Sequence, residues 1–67
     1  MRVKVNGRIE EFIEESLSIT EILEKMKYTS PGIIVKYSGK IIREEDFNEV
    51  YLRDSDEILV IHIFAGG

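Results

Sequence analysis

One segment near the end of the sequence is apolar on both faces of the strand that it would form. Residues 57–64 read EILVIHIF, and successive side chains of a strand point to opposite faces of its sheet. A strand that is apolar on both faces is typical of the centre of a sheet. With one helix to cover a single face, we expect part of the second face to stay near solvent as a candidate partner-binding surface, formed by Leu59, Ile61 and Ile63.

The clearest local signal is the start of a helix. Ser18 is followed three residues later by Glu21, which is the spacing of a capping box. Leu17 and Ile22 have the spacing of the hydrophobic staple that often accompanies such a box. Apolar residues then recur at helical spacing, and the Thr29–Gly32 segment carries turn residues. We predict a helix over residues 19–27 with one buried stripe.

Two pairs of short strands are each joined by a dipeptide that suits a tight turn. Asn6-Gly7 tolerates the positive φ of a type I′ turn, and Ser38-Gly39 is a second turn signal. The predicted hairpin strands are residues 2–5, 8–13, 33–37 and 40–42. Residues 43–50 are predicted to connect them to the final strand through one helical turn that places Phe47 on the core, before a turn at residues 54–56.

The order of these elements predicts an α+β fold. We expect a mixed sheet of about four to five strands with one main helix packed on one face. The chain has 67 residues and no linker or repeat, so residues 1–64 are predicted to form one domain. Residues 65–67 are predicted to be a flexible Ala-Gly-Gly tail.

Composition argues against several classes of function. Without cysteine, the chain has no thiolate zinc site, no disulfide and no thiol of its own to carry sulfur. The formal charge of −4 is unfavourable for binding nucleic acid. No apolar run approaches the roughly 20 residues that span a bilayer, and no signal peptide is visible, so we expect no membrane association and a cytoplasmic location.

Candidate catalytic and metal-binding side chains are few. His62 is the only histidine, so we predict no metal site and expect a strand-end residue with one hydrogen-bond partner. Four acidic residues lie on the first hairpin and its following loop, where charge usually serves solubility and blocks edge pairing: Glu10, Glu11, Glu14 and Glu15. A chain this small lacks the deep cleft that an active site needs, and we assign no catalytic residue.

The chain ends in Ala65, Gly66 and Gly67, directly after the predicted central strand. Residues without a bulky side chain can extend through a narrow channel and bring the Gly67 carboxylate into the active site of another protein. A carboxylate is a poor electrophile, and transfer to the α-phosphate of ATP would activate it as an acyl adenylate. The alternative is a terminus that tolerates any sequence.

The whole chain resembles the ThiS family and, more loosely, the MoaD-like and ubiquitin-like superfamily. The segments that carry the resemblance are residues 3–7, residues 18–23, residues 41–43 with Phe47, residues 54–58 and residues 64–67. The resemblance implies a ubiquitin-like β-grasp in which the last strand lies beside the first and parallel to it. Departures from the family pattern are Phe47 at a position often held by tryptophan, Asp54-Ser55-Asp56 in place of Asp-Gly-Asp, and no proline between Ile42 and Arg43.

The resemblance also implies a function. A ThiF/MoeB-like adenylating enzyme would use ATP and Mg²⁺ to adenylate Gly67, and sulfur derived from a cysteine desulfurase would convert it to a thiocarboxylate. A ThiG-like thiazole synthase would then consume that sulfur in thiamine biosynthesis. The chain would be a protein cosubstrate that binds no cofactor itself, not an enzyme.

Other functions share this tail chemistry or dispense with it. Sulfur carriers for molybdopterin synthesis or tRNA thiolation use the same activation, as does a ubiquitin-like modifier joined to lysines through Gly67. A plain interaction domain would use only the Leu59, Ile61 and Ile63 surface.

Overall fold

A computed structural model describes residues 1–29 and 32–63 of the chain. Within them lie seven strands, one α-helix and one short 3₁₀ helix. The elements in chain order are β1 (Arg2–Val5), β2 (Arg8–Glu11), β3 (Ser16–Ser18), α1 (Ile19–Lys25), β4 (Ile33–Tyr37), β5 (Lys40–Ile42), the 3₁₀ helix (Glu44–Asp46), β6 (Tyr51–Arg53) and β7 (Glu57–His62).

Five strands form the main sheet, in the order β2-β1-β7-β4-β5. Strand β7 occupies the centre, parallel to β1 and antiparallel to β4. Parallel neighbours need a crossover connection, and the segment between β1 and β7, which includes α1, provides it. The predicted α+β fold with a mixed sheet and a central last strand is confirmed.

The core lies between α1 and one face of this sheet. Its helix side is formed by Ile19, Ile22 and Leu23, which are all buried. The capping box at the start of α1 is present: the Ser18 hydroxyl accepts a hydrogen bond from the Glu21 amide at 3.1 Å, and the Glu21 carboxylate accepts one from the Ser18 amide at 2.9 Å. The predicted helix start is therefore confirmed.

Helix α1 ends at Lys25, earlier than the predicted Lys27. Lys27 adopts a left-handed φ of 63°, its amide donates to the Glu24 carbonyl, and the Tyr28 amide donates to the Leu23 carbonyl. These two bonds are the pair that closes a Schellman motif. Glycine usually occupies the left-handed position of that motif, so a lysine there gives no sequence signal of the helix end.

A second, two-stranded sheet was not predicted. Strand β3 pairs antiparallel with β6, and the central pair of its register joins Leu17 to Leu52. Both leucines are buried, which explains why this small sheet forms. The connection before β6 contains the predicted helical turn and buries Phe47, as expected.

The first hairpin turn adopts the predicted backbone, and the second, predicted only as a turn, adopts the same one. Asn6 and Gly7 have φ values of 53° and 85°, and Ser38 and Gly39 have 52° and 77°. Two positive φ angles in succession are the signature of a type I′ turn. The predicted tail at residues 65–67 lies outside the described residues and stays a prediction. The last strand was predicted to reach Phe64, but β7 ends at His62, because its neighbour β4 begins only at Ile33, opposite His62.

Candidate functional site

The candidate site begins where β7 leads into the C-terminal residues. Strand β7 ends at His62, and Ile63 is the last described residue. Ala65, Gly66 and Gly67, the predicted tail and its reactive end, lie outside the described residues. The structure therefore defines the base of the tail and the surface around it.

One edge of β7 is held by β1 and then by Asn6. The Lys4 amide donates to the Asp56 carbonyl at 2.9 Å, and the Asn6 amide donates to the Ile58 carbonyl at 3.1 Å. Beyond the end of β1, the Asn6 side chain continues this pattern: its Oδ1 accepts from the Val60 amide at 2.7 Å, and its Nδ2 donates to the Val60 carbonyl at 3.4 Å. The Asn6 side chain thus replaces a backbone partner that β1 is too short to supply.

The other edge of β7 is held by the start of β4. The Ile63 amide donates a hydrogen bond of 2.6 Å to the Gly32 carbonyl. Glu44 Oε1 accepts from the Gly32 amide at 2.9 Å and from the Ile33 amide at 3.4 Å. No local pattern in the sequence singles out Glu44, because its partners are 12 and 11 residues away along the chain.

The sheet face opposite α1 carries the predicted apolar surface. Leu59, Ile61 and Ile63 are 42%, 39% and 54% exposed. Register places Ile34 of β4 beside Ile61, and Ile41 of β5 one strand further out, opposite Lys36. We call these five aliphatic residues the open sheet face: Ile34, Ile41, Leu59, Ile61 and Ile63.

Ile34 and Ile41 were missed as members of this surface. The alternation of strands β4 and β5 carried the necessary signal, since Ile34 lies between buried Ile33 and Val35. A shallow groove joins Ile34, Ile41 and Ile63, with Arg43 and Glu44 among its lining residues. The aliphatic surface therefore reaches the base of the tail and has a charged rim there.

His62 is exposed at the end of β7, and its ring centroid lies 5.6 Å from that of Tyr28 at an angle of 46°. The predicted hydrogen-bond partner is thus replaced by a tilted ring contact within the described part of the chain. Among residues 1–29 and 32–63, no three histidine, aspartate or glutamate side chains are grouped so that they could hold a metal ion.

Two of the acidic residues on the first hairpin and its following loop, Glu11 and Glu14, form isolated surface pairs. Glu14 accepts from Lys25 Nζ at 3.1 Å, and Glu11 lies 3.2 Å from Arg2 Nε. A hydrogen bond from its own backbone amide, followed by Lys25, lowers the pKa of Glu14 below its ordinary value. Strand β2 forms an edge of the sheet, where such charges oppose further strand pairing. In the described segments, no helix is long and apolar enough to cross a membrane.

Comparison with known proteins places this geometry in a family. The model of the ThiS family matches residues 3–67. The sulfur carrier protein ThiS of Bacillus subtilis (strain 168) is 28% identical over 65 residues, covering 97% of this chain and 98% of the relative.

Solved structures give the same result for the fold. The crystal structure of the thiamine biosynthesis protein ThiS from Geobacter metallireducens superposes with a TM-score of 0.85 at 28% identity, with full coverage of both chains. An NMR structure of a thiamine biosynthesis protein from the same organism gives a TM-score of 0.77 at 28% identity, covering all of this chain and 88% of the other. The predicted β-grasp and the predicted role as a carrier rather than an enzyme are confirmed. The chain, which matches the family model over residues 3–67, belongs to the ThiS family of sulfur carrier proteins.

Proposed function

We propose that the chain carries sulfur for thiazole formation in thiamine biosynthesis, with the terminal carboxylate of Gly67 as its working group. The observation that carries this proposal is a family match that runs through Gly67 itself. The described structure adds a central strand, β7, whose last residues are held on both edges just before the tail begins. No side chain of this chain takes a catalytic role in the proposal.

The chemistry proceeds in the active sites of partner proteins. In a ThiF/MoeB-like enzyme, which supplies ATP and Mg²⁺, a Gly67 carboxylate oxygen attacks the α-phosphorus of ATP and pyrophosphate leaves. A persulfide sulfur derived from a cysteine desulfurase then attacks the acyl carbon, and AMP leaves. A second thiol attacks the sulfur of the enzyme cysteine in the resulting acyl disulfide, so that a disulfide forms between the two thiols and the Gly67 thiocarboxylate leaves with the transferred sulfur. A ThiG-like thiazole synthase accepts this sulfur.

The open sheet face is the proposed docking surface for these partners. Ile63 belongs both to this face and to the base of the tail, so an enzyme that encloses the tail must approach the residues beside it. The face is aliphatic, and burying it supplies binding free energy without any change in the carrier. The chain's charge of −4 favours partners with a basic rim around the docking site.

The test is ATP–pyrophosphate exchange catalysed by the ThiF-type enzyme of the same organism. Deletion of Gly67 is expected to abolish exchange that depends on the carrier. Ile61→Lys is expected to raise the KM for the carrier about tenfold or more, because a lysine must be desolvated where an isoleucine was buried. Ile13→Lys is the matched control, since Ile13 is 97% exposed and lies outside the open sheet face.

Two results would contradict the proposal. Exchange that is unchanged by deletion of Gly67 would show that the enzyme does not depend on the carboxylate of this residue, and would contradict Gly67 as the group activated. Recovery of this chain joined through Gly67 to lysines of other proteins, without any thiocarboxylate, would favour a protein modifier instead.

A further inference from the structure

We infer that Glu44 is a positioning residue for the base of the C-terminal tail: it holds Gly32, and Gly32 holds Ile63, the last described residue before the tail. This inference rests on the proposed function, because the tail matters only if a partner must receive it. Glu44 itself touches no reacting atom.

The first link joins Glu44 to the start of β4. One carboxylate oxygen, Oε1, accepts hydrogen bonds from two successive backbone amides, those of Gly32 at 2.9 Å and Ile33 at 3.4 Å. Bonds between a charged acceptor and backbone amides are stronger than bonds between neutral groups. A single side chain therefore fixes the orientation of the Gly32 peptide units.

The second link joins Gly32 to Ile63. The Gly32 carbonyl accepts from the Ile63 amide at 2.6 Å. Gly32 also has a φ of 95°, and a Cβ placed on it would lie 3.1 Å from the Ile63 carbonyl oxygen. Both this left-handed backbone and the close approach of the two segments favour glycine at this position. Gly32 therefore lies close to both the amide and the carbonyl of Ile63.

The third link anchors Glu44 to the core. Glu44 is the first residue of the 3₁₀ helix, and its carbonyl accepts from the Phe47 amide at 3.1 Å. Phe47 is buried in the hydrophobic core. Contacts therefore run from the core through Glu44 and Gly32 to Ile63, which precedes Ala65 of the tail by two residues.

This arrangement has a consequence for the reaction. A partner that binds the open sheet face and encloses the tail must also contact Ile63, and ordering Ile63 in advance reduces the entropic cost of binding. Loss of the Glu44 contacts should weaken productive binding of the carrier more than the chemical step. The expected signature is a change in KM with little change in kcat.

The experiment compares Glu44→Ala, Glu44→Gln and Glu45→Ala in the full chain. Glutamine keeps an oxygen that accepts from the Gly32 and Ile33 amides but removes the charge. Alanine removes both. Glu45 is the exposed neighbour in the same 3₁₀ helix, so Glu45→Ala removes an equal charge from nearly the same place.

Two quantities are measured for each variant: hydrogen exchange of the Ile63 amide, and the KM and kcat of the ThiF-type enzyme for the carrier. Glu44→Ala is expected to accelerate Ile63 exchange about fivefold, with the Val60 amide of the same strand unchanged. It is expected to raise KM about fivefold with kcat within about twofold, since the effect is on preorganisation. Glu45→Ala is expected to stay within about twofold of the parent chain in both measurements. Glu44→Gln is expected to fall between the parent chain and Glu44→Ala, because it keeps the acceptor oxygen and loses the charge.

The remaining outcomes overturn the inference. An unchanged Ile63 exchange rate or an unchanged KM in Glu44→Ala would show that Glu44 does not position the tail. Equal rises in KM for all three variants would assign the effect to lost negative charge. Failure of the parent chain itself to be adenylated would instead refute the proposed function, and this inference with it.

Discussion

The side chain of Asn6 and the backbone of Val60 form a two-point contact across 54 residues of sequence. Oδ1 accepts from the Val60 amide at 2.7 Å, and Nδ2 donates to the Val60 carbonyl at 3.4 Å. Asn6 is also the first of the two central residues of a type I′ turn, with a φ of 53°. One residue therefore closes the first hairpin and extends the pairing of the central strand.

These two roles of Asn6 can be separated by mutation. Asn6→Gly keeps the backbone conformation and loses the amide, and we expect it to lower the free energy of unfolding by about 1 kcal/mol. Asn6→Ala adds the cost of a left-handed alanine and should lose about 2 to 3 kcal/mol in total. Urea unfolding followed by circular dichroism measures both. Equal stability of Asn6→Gly and the parent chain would show that the Val60 contact is energetically neutral.

Lys27 offers a stabilising substitution at the end of α1. Its φ of 63° strains any residue that carries a Cβ, whereas glycine adopts this conformation freely. Lys27→Gly is expected to raise the free energy of unfolding by about 0.5 to 1 kcal/mol.

The control for this substitution is Glu24→Gly, within the same helix. Glu24 is exposed and helical, so glycine there should lower stability by about 1 kcal/mol. Urea unfolding curves measured side by side for both variants give the two changes in the free energy of unfolding. If both glycines destabilise the chain, the Schellman ending at Lys27 is contradicted.

Tyr37 makes the free energy of unfolding depend on pH in the alkaline range. Its hydroxyl donates to Asp56 Oδ2 at 3.0 Å. Burial, followed by this hydrogen bond, raises the pKa of Tyr37 above its ordinary value of 10.0. A raised folded pKa means that the folded chain keeps this proton after the unfolded chain has lost it. The stabilisation is therefore complete below pH 10.0 and declines as the pH rises above it.

Tyr37→Phe removes this dependence. We expect its melting temperature to fall less steeply than that of the parent chain above about pH 10, the ordinary tyrosine pKa. At neutral pH it should lose about 0.5 to 1.5 kcal/mol, the usual value of one hydrogen bond. Thermal unfolding measured across this pH range provides the comparison, with Tyr51→Phe, at an exposed position in β6, as the control. Identical slopes for the parent chain and Tyr37→Phe would refute the coupling.

Features encoded by neighbouring residues were predictable from the sequence. Ser18 and Glu21 identify the helix start because a capping box is completed within one turn, and Asn6-Gly7 identifies its turn through backbone preference alone. The central position of β7 follows from aliphatic side chains on both of its faces. The Gly66-Gly67 end predicts chemistry at the tail, because residues without a side chain can enter a narrow channel.

Features that depend on distant partners were not predictable. The pairing of β3 with β6 joins Leu17 to Leu52, and neither short strand has enough alternation to indicate it. The Glu44 contact with Gly32 combines an exposed glutamate with a loop glycine, both of which are common in any sequence. The helix end at Lys25 was missed because the left-handed backbone of Lys27, which terminates the helix, is imposed by hydrogen bonds to the preceding turn.

The most direct test of the central claim is the intact mass of the protein isolated from its native host. Replacing one oxygen of the Gly67 carboxylate by sulfur adds roughly 16 Da, the expected product of acyl activation followed by sulfur attack. The account predicts this species, localised to the C-terminal peptide and lost on deletion of Gly67. A chain that stays at its unmodified mass under active thiamine synthesis would contradict the assignment of Gly67 as the sulfur-carrying group.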